Sequence, residues 1–127
     1  MTKEEFLLRL HNMEKALHIT PNDYGVLCGG SLLLRGIREE TRDIDLVFKP
    51  EVAARINLDQ FPTNDRGLVI IDDHTEGSDN WSEWKFELID GVQCQTLDDI
   101  IRCKVEWGRD KDIKDLKEIR PHICHNC

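Results

Sequence analysis

The 127 residues fit one domain, with 39% apolar and 33% charged side chains, an ordinary balance for a globular chain with a modest core. Seventeen basic against 25 acidic residues leave a net charge of −8. That argues against a general nucleic-acid binder, whose affinity for phosphate backbones comes from Lys and Arg, and fits a site that gathers cations. The apolar runs fall far short of a membrane span. Met1-Thr-Lys-Glu-Glu5 carries acid where a signal peptide wants basic residues, and five irregularly spaced cysteines suit reduced thiols. These features predict a cytoplasmic protein.

Thr2 and Glu5 have capping-box spacing, and Phe6, Leu7, Leu10, Met13 and Leu17 recur at helical period, so a helix opens the chain. Thr20-Pro-Asn-Asp23 is turn chemistry. Gly25–Cys28 reads as a buried strand ending at Gly29-Gly30-Ser31, with Ser31 as N-cap of a short helix through Leu32–Arg35. Asp43–Phe48 reads as a strand entering the core, and Pro50 opens a helix over about Glu51–Ile56. Leu68–Ile71 and Trp84–Ile89 read as two more strands, joined by a loose polar loop through Gly77, Ser78, Asp79 and Asn80.

Asp90-Gly91 is a tight-turn signal into Val92–Gln95. Thr96 with Asp99 then caps a helix carrying Leu97, Ile100, Ile101 and Val105, with a break at Gly108. A final helix over Lys111–Ile119 turns Ile113, Leu116 and Ile119 inward and stops at Pro121. The predicted class is α+β (α/β): helices on one small mixed sheet, a single domain over 1–127 with its core at about 20–120.

The informative stretch is Val26–Phe48: strand, Gly-Gly-Ser turn, short helix, turn, and a second strand opening Asp43-Ile-Asp45. Gly29 and Gly30 let backbone approach a ligand closely, and the amides at a helix start carry partial positive charge suited to phosphate. Asp43 and Asp45 leave one face of their strand about 7 Å apart along it. Two like charges so placed call for a cation, and magnesium, a hard ion taking carboxylate and phosphate oxygens, fits. Either half alone is commonly structural; strand, glycine turn, helix and acidic strand in this order is more specific.

Gly30-Ser31, eleven residues, then Asp43-Ile44-Asp45 resembles the signature of the polymerase-β-type nucleotidyltransferase superfamily, with Gly36, Thr41 and Leu46-Val47 in agreement. Small bacterial members are the nearest in pattern: lincosamide or aminoglycoside nucleotidyltransferases and abortive-infection-type toxins, which also have segments like Val92–Lys104 and Arg109–Leu116. The resemblance covers roughly residues 20–120. It implies a minimal nucleotidyltransferase fold and magnesium-dependent transfer of a nucleoside monophosphate from a nucleoside triphosphate, such as ATP, to an acceptor hydroxyl, releasing pyrophosphate. On that reading Gly29, Gly30 and Ser31 hold the triphosphate, Lys104 lies near it, and Asp43 and Asp45 bind two magnesium ions. The acceptor, a small molecule or a macromolecule, then meets either an open face or a cleft completed by a homodimer.

The resemblance also requires a third carboxylate on a neighbouring strand. Glu87 is the first choice, because it lies mid-strand on the parity opposite Trp84, Phe86 and Leu88. Asp72 and Asp73 follow the apolar Leu68–Ile71 run, and Asp90 is better used in its turn. Without a third acid the chain becomes a noncatalytic nucleotide-binding module, or half of a toxin–antitoxin pair. For Lys104 the competing reading is a solvated helix face paired to acids at helical spacing. Cys28, Cys94 and Cys103 read as small core residues rather than nucleophiles. Trp81, Trp84 and Trp107 suit packing first and base stacking second. The tail His122–Cys127 holds four potential zinc ligands, in a run too short to wrap one ion easily.

Overall fold

The computed structural model describes residues 1–123. Helix α1 (Lys3–Leu17) starts from the expected capping box: Glu5 N–H donates to the Thr2 hydroxyl, and Thr2 N–H to the Glu5 carboxylate. Its Phe6, Leu10 and Met13 are buried. Strand β1 (Tyr24–Val26), helix α2 (Cys28–Leu34), strand β2 (Ile44–Phe48) and helix α3 (Pro50–Arg55) follow. Next come β3 (Val69–Asp72), β4 (Thr75–Ser78), β5 (Phe86–Ile89) and β6 (Val92–Gln95), then α4 (Leu97–Trp107) and α5 (Asp110–Ile119).

The six strands form one mixed sheet in the order β3-β4-β2-β1-β6-β5. β2 runs antiparallel to β1 and parallel to β4, so two strands far apart in sequence meet side by side. The predicted α+β class, helices on a single small mixed sheet, is the one observed. Ile44, Leu46 and Phe48 of β2 enter the main core with Phe6, Leu10, Tyr24, Val52 and Cys94. Strand alternation therefore sends Asp45 to the opposite face. A smaller cluster of Leu32, Ile100 and Ile119 joins α2 to α4 and α5. Asp90 and Gly91 both take positive φ, 51° and 79°, the geometry that closes a two-residue hairpin between β5 and β6.

Four expectations change. The polar loop between the predicted third and fourth strands contains β4, with Glu76 and Gly77 in its middle. Thr-Glu-Gly-Ser has little strand propensity. The strand forms because its register with β2 lets the Phe48 ring lie over Gly77, where a Cβ would come within 2.8 Å of ring carbon Cε2. Second, α2 begins at Cys28, not Leu32, so Ser31 sits inside the helix rather than capping it.

Third, Val105 is 65% exposed while Lys104 is buried. Lys104 lies four residues beyond Ile100 and shares its inward face, whereas Val105 is rotated a further 100° toward solvent. Fourth, Ile113 is exposed, because the inward face of α5 runs through Asp112, Leu116 and Ile119 instead. Among the described residues no helix is long and apolar enough to cross a membrane.

Candidate functional site

A cleft of about 1040 Å³ opens over the C-terminal side of β1, the start of β2 and the middle of β4, with α4 and α5 as its far wall. Asp43 and Asp45 line it, as their spacing predicts. Asp45 is in parallel register with Glu76 of β4, so the two side chains occupy neighbouring positions on one face, a strand spacing of about 4.8 Å apart. Burial raises the Asp45 pKa from its ordinary value, and the charges of Glu76 and Asp43 raise it further. An acid so placed holds its proton more tightly, or its charge is met by a cation.

Glu76 is the acid that the sequence reading missed. The only available signal was a charged residue inside a polar stretch, and nothing local marks that stretch as a strand. The predicted Glu87 lies elsewhere: β1 and β6 separate its strand β5 from β2, and its carboxylate pairs with Arg35 at 2.6 Å. Asp72 is used in the β3–β4 turn, where its Oδ1 accepts from the His74 amide at 2.8 Å. Asp73 stands beside it in the same turn and does not line the cleft. Asp90 pairs with Lys3 at 2.9 Å. None of these four reaches Asp43 and Asp45.

The glycine turn divides. Cys28 and Gly29 line the cleft, and a Cβ on Gly29 would meet the Arg38 guanidinium at 2.9 Å and the Thr41 hydroxyl at 3.1 Å. Gly30 is buried in the core, where a Cβ would come within 2.5 Å of Phe6 and Val26. Ser31 is also fully buried; its hydroxyl donates to the Gln95 carbonyl at 2.7 Å, and so does not face the cleft. Gln95, unmarked in the sequence, is the hub beneath this turn. Its Oε1 accepts from the Cys28 amide at 2.9 Å, its Nε2 donates to Asp99 at 2.9 Å, and its carbonyl also accepts from Arg35 at 3.1 Å. The Cys28 amide so held belongs to a non-glycine residue at φ 43°, a strained backbone beside the cleft.

The opposite wall is basic but internally paired. Lys104 reaches the cleft and donates to Asp115 at 2.8 Å and Asp112 at 3.4 Å. Burial works against the Lys104 charge, but the Asp115 hydrogen bond together with the nearby charges of Asp115 and Asp112 outweighs it and the pKa is raised. Asp112 is fully buried, and the Arg109 guanidinium bound to it at 2.6 Å holds its pKa at about 2. Arg38 joins this network through Asp115 at 3.0 Å and Glu118 at 2.9 Å. The cleft position of Lys104 and its pairing with acids thus coexist. Trp84 and Trp107 line the same cleft, whereas Trp81 stacks on Phe86 with ring centroids 4.5 Å apart.

The three cysteines among the described residues are not activated: burial raises Cys28 to about 11 and Cys94 to about 12, and Cys103 is raised as well. Most of the His122–Cys127 tail lies outside the described residues. Among the described residues, no three His, Cys, Asp or Glu groups stand close enough together to hold a metal ion. Asp43, Asp45 and Glu76 nonetheless suit a hard divalent cation chemically. All are oxygen donors, and the raised Asp45 pKa reflects burial first and then the repulsion of Glu76 and Asp43, which a cation would relieve.

The mixed sheet, with its Asp-x-Asp strand beside a glycine turn and a basic helical wall opposite, is consistent with a nucleotidyltransferase-like fold. A solved structure of a protein from Thermotoga maritima, described as a "putative nucleotidyltransferase", matches it with a TM-score of 0.58 over 96% of each chain, at 18% identity. No family model matches the sequence, and no curated protein matches it.

Proposed function

We propose that this chain is a magnesium-dependent nucleotidyltransferase that moves a nucleoside monophosphate from a nucleoside triphosphate to an acceptor hydroxyl, with release of pyrophosphate. The observation that carries the reading is the convergence of Asp43, Asp45 and Glu76 on one wall of a cleft whose facing wall presents Lys104 and Arg38. The first wall is too acidic to face a triphosphate alone, and the second is suited to it.

Asp43 and Asp45 would hold magnesium, which supplies charge neutralisation and alignment of the attacking and leaving oxygens. Glu76, beside Asp45, would join that cation site or take the proton of an acceptor hydroxyl. Gly29 lets the Arg38 guanidinium and the Thr41 hydroxyl lie close against the turn, Gln95 fixes the backbone beneath it, and Lys104 and Arg38 would balance triphosphate charge. The exposed indole of Trp107 offers a face for a base. The acceptor approaches through the open side of the cleft or against a second copy of the chain.

One observation favours a noncatalytic nucleotide-binding module on the same fold, such as half of a toxin–antitoxin pair: Glu76 is already engaged by Arg66. Incubation with nucleoside triphosphate labelled at the α-phosphate, magnesium and a fractionated cell extract separates the two. Transfer of label to an acceptor by the wild type, lost in Asp45→Asn and Glu76→Gln, supports the enzyme. Magnesium-dependent binding with no transfer supports the module, and absence of both overturns the nucleotide reading altogether.

A further inference from the structure

Arg66 stands on the turn between α3 and β3, and its Nη2 donates to both carboxylate oxygens of Glu76, at 3.1 and 2.9 Å. The backbone beneath it is pinned: the Asn64 side-chain oxygen accepts from the Arg66 and Leu68 amides at 2.9 and 3.1 Å, and the Asn64 amide donates to the Leu68 carbonyl at 2.8 Å. The Arg66 side chain itself is 67% exposed. A rotamer change alone would therefore release it from Glu76, with the turn's backbone held in place.

Both residues line the cleft, next to Asp45. Glu76 is the acid in register with Asp45, yet the described residues contain no three-group cluster able to hold a metal. A guanidinium gripping both oxygens of Glu76 takes up donor atoms a cation would need.

We propose that Arg66 is a built-in counter-ion for the acidic wall, a latch that competes with a divalent cation for Glu76. The inference rests on the reading of Asp43, Asp45 and Glu76 as the cation site and adds how that site is regulated. A divalent ion must displace the guanidinium to gain Glu76. An exposed ion pair is weak enough for the exchange to be easy but costs the metal measurable affinity. Once displaced, Arg66 is a free cation on the cleft rim, available to phosphate oxygens. Triphosphate and metal then bind with positive coupling, each favouring the swung-out arginine.

The test is calorimetric titration of the full chain with magnesium alone, repeated with manganese by paramagnetic resonance, for wild type, Arg66→Gln, Glu76→Gln, the double variant and Asp45→Asn. Arg66→Gln is expected to tighten metal binding about fivefold, equivalent to about 1 kcal/mol. In the Glu76→Gln background the same substitution is expected to change little, because the latch has lost its catch. Unchanged or weaker binding in Arg66→Gln overturns the latch, and so does a gain that persists without Glu76, which marks a general field effect. Metal binding that is lost in Asp45→Asn but insensitive to Arg66 removes the latch and leaves the site reading standing. No metal binding by any variant, Arg66→Gln included, overturns both.

Discussion

The two walls of the cleft use the same residue types and treat them in opposite ways. On the α4–α5 side the acids around Lys104 and Arg38 all have cations: Asp112 is gripped by Arg109 and Lys104, Asp115 lies between Lys104 and Arg38, and Glu118 takes Arg38. The result is an Asp112 carboxyl held far below its ordinary pKa. On the β2–β4 side Asp43, Asp45 and Glu76 line the same wall, one exposed arginine answers Glu76, and burial with the neighbouring carboxylates raises the Asp45 pKa instead. Paired buried charge holds a structure together. Uncompensated charge costs stability and is kept where a ligand completes it.

The largest effect should come from breaking the paired wall. Lys104→Ala leaves Asp112 buried without one of its cations, and should cost about 3 kcal/mol, read from the denaturant midpoint. Next is the contact that seats β4 against β2. Gly77→Ala places a Cβ against the Phe48 ring, and should cost about 1–2 kcal/mol and weaken metal binding by displacing Glu76.

Asp45→Asn should do the reverse, raising stability in metal-free buffer by an amount on the order of 1 kcal/mol while removing any magnesium-induced rise in Tm. A destabilised Asp45→Asn would break the contrast between the walls. Acid titration sharpens it further. With its folded pKa lowered to about 2, Asp112 contributes stability above its unfolded value of 3.8 that is lost as pH falls toward 2. Asp45, whose folded pKa is raised, takes stability away as pH rises through the carboxylate range, and magnesium should restore it. Stability measured from pH 2 to 7 in wild type and Asp45→Asn isolates the second contribution. The smallest effect belongs to Glu87→Gln, which breaks a half-exposed pair with Arg35: less than about 1 kcal/mol, with metal affinity unchanged.

Much of the site was legible because it is local in sequence. Asp43 and Asp45 reach the cleft from the start of one short strand, Gly29 from the glycine turn after β1, and Lys104 from a helix with a clear Thr96 capping signal. Glu76 was hidden for the opposite reason. Its strand is four residues long, contains a glycine, and exists through pairing with β2 some thirty residues earlier. No local propensity encodes that partnership, so the search for a third acid settled on Glu87, in the stretch with the stronger strand pattern. Ser31 misled in the same way: a hydroxyl after two glycines reads as a cap, while the Gln95 carbonyl that takes it lies 64 residues away. Lys104 shows the limit of apolar periodicity, since a buried ion pair occupies an inward position where Val105 was expected.

The central claim is that the unpaired acidic wall is completed by a divalent cation and a triphosphate. Calorimetric titration of wild type and Asp45→Asn with a nonhydrolysable nucleoside triphosphate, with and without magnesium, tests it most directly. Binding by the wild type that requires magnesium, and weakens at least about tenfold in a folded Asp45→Asn, is the expected result. Binding of equal affinity without magnesium, or unchanged in Asp45→Asn, would contradict it.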